Sequence, residues 1–208
     1  MNKAIVVFLL LGLVITGPGL FSAPASAAEL AELVSACEDC HGKDGASTEP
    51  TIPIIGGFSA LYTIDSFTAY QDEARPCGEV KYPAGPHEGE AGDMCKVTKE
   101  LSEEEIGQLA EHFAAKPFVL AKQNVDAALV KQGASVHKRQ CKKCHEDGGS
   151  SPDDDAGILA GQWMPYMEKE FQAYSSGERE MPKKMKVKMD KLSGDDITAL
   201  VHYYGSFQ

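Results

Sequence analysis

Apolar residues recur along this 208-residue chain at spacings of three and four, the period that gathers one face of an α-helix. Leu30, Leu33, Val34 and Cys37 fall on such a face, as do Leu129, Val130, Gly133 and Val136. Two further stretches open with Ser102 and Ser193, good N-caps, each with an acid three residues on (Glu105 and Asp196) in the capping-box pattern. Behind them Ile106, Leu109 and Phe113 share a face, and so do Ile197, Leu200 and Tyr204. Shorter helices are predicted around Ala60 to Tyr70 and around Pro165 to Tyr174, and no strand pattern stands out. The chain therefore reads as all-α.

The helices come in matched sets. At an offset of 104, Cys37, Cys40 and His41 fall on Cys141, Cys144 and His145; Ile55 falls on Leu159, Gly57 on Gly161, Tyr62 on Tyr166, Phe67 on Phe171 and Tyr70 on Tyr174. Further on the offset is 91, where Leu101 to Phe113 lie over Leu192 to Tyr204, so the first copy carries about 13 extra residues between Tyr70 and Leu101. One unit built twice is expected, at 28–116 and 125–208, with 117–124 as a linker in which Pro117 stops the helix.

Residues 1–27 read as a secretory signal. Lys3 supplies the positive region, Ala4 to Val14 the apolar run, and Ala25-Ser26-Ala27 the small residues before cleavage. Gly17, Pro18 and Gly19 break the run before it reaches the ~20 apolar residues of a spanning helix. The expectation is a periplasmic protein with no membrane span in its mature chain. Formal charge is −11, and removal of the leader takes away one Lys and no acid. A mature chain this acidic is a poor partner for nucleic acid, which calls for clustered Lys and Arg.

The repeated pentapeptides "CEDCH" and "CKKCH" carry the chemistry. Two thiols one helical turn apart can add to the two vinyl groups of a haem, and the adjacent His can then reach the iron; C-x-x-C-H is the attachment signature of haem c. A zinc site shared between the copies and a thioredoxin-like redox pair are the competing chemistries. Zinc sites rarely place His directly after the second Cys, and a redox CxxC belongs beside a βαβ pattern that this chain lacks. Each copy is also too small to build much core of its own, a deficit that a large apolar cofactor fills. Two covalent haems c are expected, on Cys37 and Cys40 with His41, and on Cys141 and Cys144 with His145.

Each iron has a second axial position. Met94 precedes Leu101 by seven residues and Met185 precedes Leu192 by seven, which makes this pair the candidate ligands. Their rivals are His87 in the first copy and Met181, next to Pro182, in the second; Met164, Met167 and Met189 read as core or surface. The leftover Cys77 and Cys95 are expected to form a disulfide, with free thiols as the alternative. Trp163, Tyr62 and Tyr166 could meet a haem edge or propionate, or be plain core. His137 reads as structural, His112 and His202 as exposed or capping, and Asp153 to Asp155 as a solvated loop or a steering patch.

With these residues in place the chain resembles a tandem pair of class I cytochrome c domains, the plan of the di-haem cytochromes of bacterial respiratory chains. From Gly133 to Met185, "GASVHKRQCKKCHEDGG", "ILAGQWMPY" and "EMPKKM" are similar to the cytochrome subunit of flavocytochrome c sulfide dehydrogenase. That resemblance implies two Met/His haems that take electrons from a separate FAD-containing, sulfide-oxidising flavoprotein and pass them to a downstream redox protein. It implies an electron-transfer subunit without catalytic residues of its own. The alternatives are a free di-haem carrier feeding a terminal oxidase, and a di-haem enzyme such as a peroxidase or thiosulfate dehydrogenase. The enzyme would need a displaceable ligand or a reactive thiol beside one iron.

Overall fold

A computed structural model describes residues 27–153 and 155–208, so the predicted leader lies, but for Ala27, outside the described residues. The first copy comprises α1 (Ala27–His41), a 3-10 turn (Lys43–Gly45), α2 (Ala60–Gln71), β1 (Val80–Lys81), β2 (Ala91–Gly92), α3 (Met94–Lys99) and α4 (Glu103–Ala114). The second comprises α5 (Ala127–Gln140), α6 (Met164–Ser176), α7 (Lys183–Met189) and α8 (Gly194–Gly205). No described helix is long and apolar enough to cross a membrane.

Both predicted capping boxes form: Ser102 and Ser193 accept from the amides of Glu105 and Asp196, whose carboxylates bond back. They start α4 and α8 at matching points, and this fixes which faces turn inward. α4 then packs on α2 and α1, and α8 on α5 and α6. The first core gathers Val34, Phe67, Ile106, Leu109 and Phe113, with Cys37, Ile55, Met94 and Leu101 against it. The second gathers Val136, Met167, Leu200, Val201 and Tyr204, with Cys141, Leu159, Phe171 and Leu192. Leu109 and Leu200, Phe113 and Tyr204, Phe67 and Phe171 thus hold equivalent places.

Backbone hydrogen bonds repeat with the same offsets. Ile55 N–H donates to the Gly45 carbonyl and Leu159 N–H to Gly149 (2.9 and 2.8 Å). Gly57 N–H reaches Phe113 and Gly161 N–H reaches Tyr204 (2.9 and 2.8 Å). Gly57 and Gly161 share a φ of +81°, and a Cβ at Gly57 would stand 2.9 Å from the Phe118 amide, so the turn both excludes a side chain and needs the left-handed region.

One feature differs from the sequence reading, and one separates the two copies. The first copy's insertion forms a short antiparallel hairpin, Val80 opposite Gly92, whose two-residue strands are too brief to show alternation. The helices before the two CxxCH motifs, both expected, end at different points. Whereas α1 runs through His41, the amides of Cys141 and Lys142 converge on the one His137 carbonyl (2.9 Å each), which ends α5 and leaves residues 141–145 in turns.

The copies meet across a polar seam. Gln162, 1% exposed, donates to the Ile54 carbonyl (2.9 Å) and accepts the Ile54 amide (3.0 Å). Trp163 Nε1 donates to the Ser47 carbonyl (2.9 Å), and the Tyr166 amide to Pro50 (3.1 Å). The 117–124 segment lies within this seam: Phe118 stacks on Phe58, Ala121 N–H donates to Gly161, and the Gln123 side chain bonds to Gln162 and Met164.

Candidate functional site

In the first copy a cavity of about 320 Å³ is lined by Cys40, His41 and Met94 together with Ile52, Pro53 and Val97. His41 is buried, and its Nδ1 lies 2.9 Å from the Pro53 carbonyl oxygen. A carbonyl can only accept, so the proton sits on Nδ1 and the lone pair is left on Nε2, the atom an iron would take. Burial also holds the His41 pKa below the ordinary histidine value, which keeps the ring neutral and able to ligate.

Met94 opens α3. Asp93 caps that helix by accepting the Lys96 amide (2.9 Å), and the disulfide between Cys77 and Cys95, with Cα atoms 5.6 Å apart, ties the next residue to the far side of the hairpin. The hairpin covers one wall of the cavity with Gly78, Val80, Tyr82 and Gly92. His87, the rival ligand, is exposed and bonded to Glu90 (3.1 Å).

Both thiols of the first motif are free and half-buried. Burial, then the neighbouring Cys40, Glu38 and Asp39, push the Cys37 thiol up to about 12, and burial raises Cys40 as well. Both thiols therefore keep their protons before any group is attached.

One wall of the cavity belongs to the second copy, through Tyr166, Lys169, Glu170 and Ala173. Behind it lies a charged cluster that the sequence reading did not assign. Arg75, 5% exposed, donates to Tyr166 Oη (2.8 Å), pairs with Glu170 (3.1 Å) and stacks over Tyr70 at 4.6 Å. Arg179 pairs with the other Glu170 oxygen and stacks over Tyr174 at 4.5 Å. Arg75 and Arg179 are themselves 104 residues apart, like Tyr70 and Tyr174, so the repeat contained this signal. Two guanidinium ions share one carboxylate here, and the buried Arg75 Nε has no hydrogen-bond partner among the described residues. Buried charge is costly unless paired, and the Glu170 carboxylate supplies that pairing to both guanidinium ions. Tyr166, pushed up chiefly by burial, stays a neutral phenol whose oxygen accepts from Arg75.

The second copy's candidates are more spread. Cys141 packs in the second apolar cluster, Cys144 is exposed, and His145 is half-buried. Met181 and Met185 lie on either side of Pro182, the N-cap of α7, both half-buried; Met164 packs against the second cluster and Met167 within it. His137 is buried with Nδ1 3.0 Å from Tyr204 Oη, and His202 accepts the Asp126 amide (3.0 Å), a structural and a capping role respectively.

A profile of the cbb3-type cytochrome c oxidase subunit III family matches residues 128–203. Cytochrome c-554(548) of Halomonas halodenitrificans is 30% identical over 83 residues, covering 40% of this chain and 87% of that protein. The chain belongs to the cytochrome c family. Among solved structures, cytochrome c4 of Pseudomonas stutzeri superposes with a TM-score of 0.69 at 24% identity, covering 89% of this chain and all of that one. Cytochrome c4 of Acidithiobacillus ferrooxidans gives 0.64 at 22%, over 83% and 99%. Thiosulfate dehydrogenase of Marichromatium purpuratum gives 0.62 at 22%, over 82% of this chain but 36% of that one. At these identities the likeness is one of fold, and the fold is the two-domain, all-α plan of the di-haem cytochromes c4. The group this cytochrome family implies is haem c, and the first copy fits it on two counts: the buried His41 with its Nδ1 committed to Pro53, and the cavity that Cys40, His41 and Met94 line together.

Proposed function

We propose that the chain is an exported, periplasmic electron-transfer protein that carries two haems c, one on each CxxCH, with His41 and Met94 as axial ligands in the first copy and His145 and Met185 in the second. The observation that carries this reading is the placing of His41 with its Nδ1 committed to Pro53, and of Cys40 and Met94 on the same cavity. Haem c, when bound, supplies a one-electron iron couple. The protein's part is to hold and insulate it: Pro53 orients the imidazole, α3 and the disulfide present Met94, and the apolar lining keeps water away. If His41 with Met94 and His145 with Met185 hold the irons, the protein would leave no place for substrate, and the chemistry supplied would be one-electron relay.

The electron donor we propose is an FAD-containing sulfide-oxidising flavoprotein, on the resemblance of residues 133–185 to the cytochrome subunit of such complexes; a free carrier serving a terminal oxidase is the alternative. Untagged native protein should gain the mass of two haems, show Met-to-iron charge-transfer absorbance, and co-purify with flavin whose reduction by sulfide passes to the haems. A mass gain of one haem would overturn the di-haem reading. Isolation as a flavin-free monomer, indifferent to an added flavoprotein, would transfer the assignment to the free carrier.

A further inference from the structure

Three donor side chains converge where α1, the 3-10 turn and the last turn of α4 meet. Glu38 comes from the end of α1, Asp44 from the turn and His112 from α4, and one ligand atom of each lies within 4.8 Å of the others. His112, read from the sequence as exposed or capping, is half-buried, and its Nε2 is shut off from solvent with no hydrogen-bond partner among the described residues. Burial, then the charge of Lys116, holds its pKa below the ordinary histidine value, so the ring is neutral and can ligate. One Glu38 oxygen accepts the Asp44 amide (2.8 Å), which fixes the two acidic residues against each other.

The second copy builds the same corner without these donors. At the offsets of 104 and 91, Glu38, Asp44 and His112 fall on Lys142, Gly148 and Tyr203. The corner is equivalent in space as well, since a Cβ at Gly148 would lie 3.0 Å from Tyr203 Oη. Packing at this place therefore needs neither imidazole nor carboxylate. Asp44 even holds a φ of +56° where Gly148 stands at +75°, a region that disfavours a side chain. Lysine ammonium groups already stand where a cation would: Lys43 Nζ lies 3.2 Å from Glu38 and 3.7 Å from Asp44, and Lys116 Nζ lies 2.8 Å from Asp44. Lys43 is 79% exposed, so its flexible stem can swing aside.

We propose that Glu38, Asp44 and His112 bind a divalent transition-metal ion of the zinc class, separate from either haem. One imidazole with two carboxylates suits zinc and its neighbours, whereas calcium and magnesium take oxygen ligands. Ligand atoms about 2.0–2.2 Å from zinc stand about 3.4 Å from one another, so small side-chain rotations close the set, and water completes a four-coordinate shell. The ion displaces the two ammonium groups and ties the end of α1 to the end of α4. No electron transfer is involved, so the site stands or falls apart from the relay reading.

The test is calorimetric titration of the untagged full holoprotein with zinc chloride at neutral pH, with excess magnesium present. The parent should take up one ion per chain. Glu38→Gln, His112→Gln and Asp44→Gly, the last restoring the residue of the second copy, should each weaken binding at least about tenfold. Lys116→Gln removes a competing ammonium and should tighten binding about threefold. The Soret band of each variant should match the parent's, and zinc should raise the melting temperature of the parent more than that of any ligand variant. Should His112→Gln fail to fold, Asp44→Gly decides, because glycine suits that φ. A parent that takes up no zinc would overturn the site, as would undiminished binding by the ligand variants. Loss of binding on His87→Gln instead would assign the zinc to the exposed hairpin as an adventitious ion only, and would overturn it too.

Discussion

Gln162→Ala should loosen the seam between the copies. Its side chain makes three hydrogen bonds: to the Ile54 carbonyl (2.9 Å), from the Ile54 amide (3.0 Å) and from the Trp163 amide (3.1 Å). Ile54 is 1% exposed, so truncation strands both its backbone groups away from water. At about 1–3 kcal/mol for each buried group left unpaired, the loss is on the order of 2–6 kcal/mol. Gln162→Met keeps the volume and removes the hydrogen bonds, so it should lose nearly as much, which separates polar pairing from packing. The assay is guanidinium unfolding of the holoprotein, followed by Soret absorbance and by fluorescence of Trp163, the single tryptophan, whose Nε1 bonds to Ser47 across the seam. Haem quenches nearby tryptophan, so opening of the seam brightens it. A loss of about 3 kcal/mol with a slope of about 4 kcal/mol per molar guanidinium moves the midpoint by about 0.8 M. The Trp163 transition should also precede the Soret transition. A shift under about 0.1 M in both variants, with coincident traces, would refute the reasoning.

Gly133 passes so close to α8 that an added methyl would meet the Ala199 carbonyl carbon and Tyr203 Cβ at 2.6 Å, so Gly133→Ala should cost about 1–3 kcal/mol of second-copy stability, read as a lowered melting temperature. Reducing the Cys77–Cys95 bridge, which spans 18 positions, should cost about 3 kcal/mol and loosen the first copy, seen as loss of Met-to-iron absorbance at lower denaturant. Glu105 and Asp196 have pKa values lowered by their bonds to the Ser102 and Ser193 hydroxyls and amides. Their contribution is therefore complete above the ordinary values of 4.5 and 3.8 and is lost as pH falls through the lower folded values. Ser102→Ala with Ser193→Ala should lower stability at neutral pH and flatten that acid limb; an unchanged limb would show the carboxylates to be idle.

Local chemistry was legible in the sequence, and contacts between the copies were not. The two capping boxes and the Leu109/Leu200 and Phe113/Tyr204 core positions follow from helical spacing and from self-alignment, which carry their information within a few residues or at a constant offset. Gln162 and Ile54 lie 108 apart with no pattern to join them. Tyr62 and Tyr166 align at the constant offset, and both lie in the seam: Tyr166 is bonded to Arg75 and lines the first-copy cavity, and Tyr62 lies against Gly157. Arg75 and Arg179 obey the same offset as their tyrosines, but an arginine carries the same sequence signature whether it is buried against a carboxylate or free in solvent.

Pro53, whose carbonyl sets the His41 ring, stands between two residues that the other copy holds: Ile54 is bonded to Gln162, and Pro50 receives the Tyr166 amide. The brace on the first imidazole is thus anchored outside its own unit. A gene cut at the linker would yield a first half with its attachment motif intact, but with the loop beside its axial ligand released on both flanks. Such a fragment would make a poor reference for the ligand field of the whole protein, because the second copy serves as the jig in which the first is set.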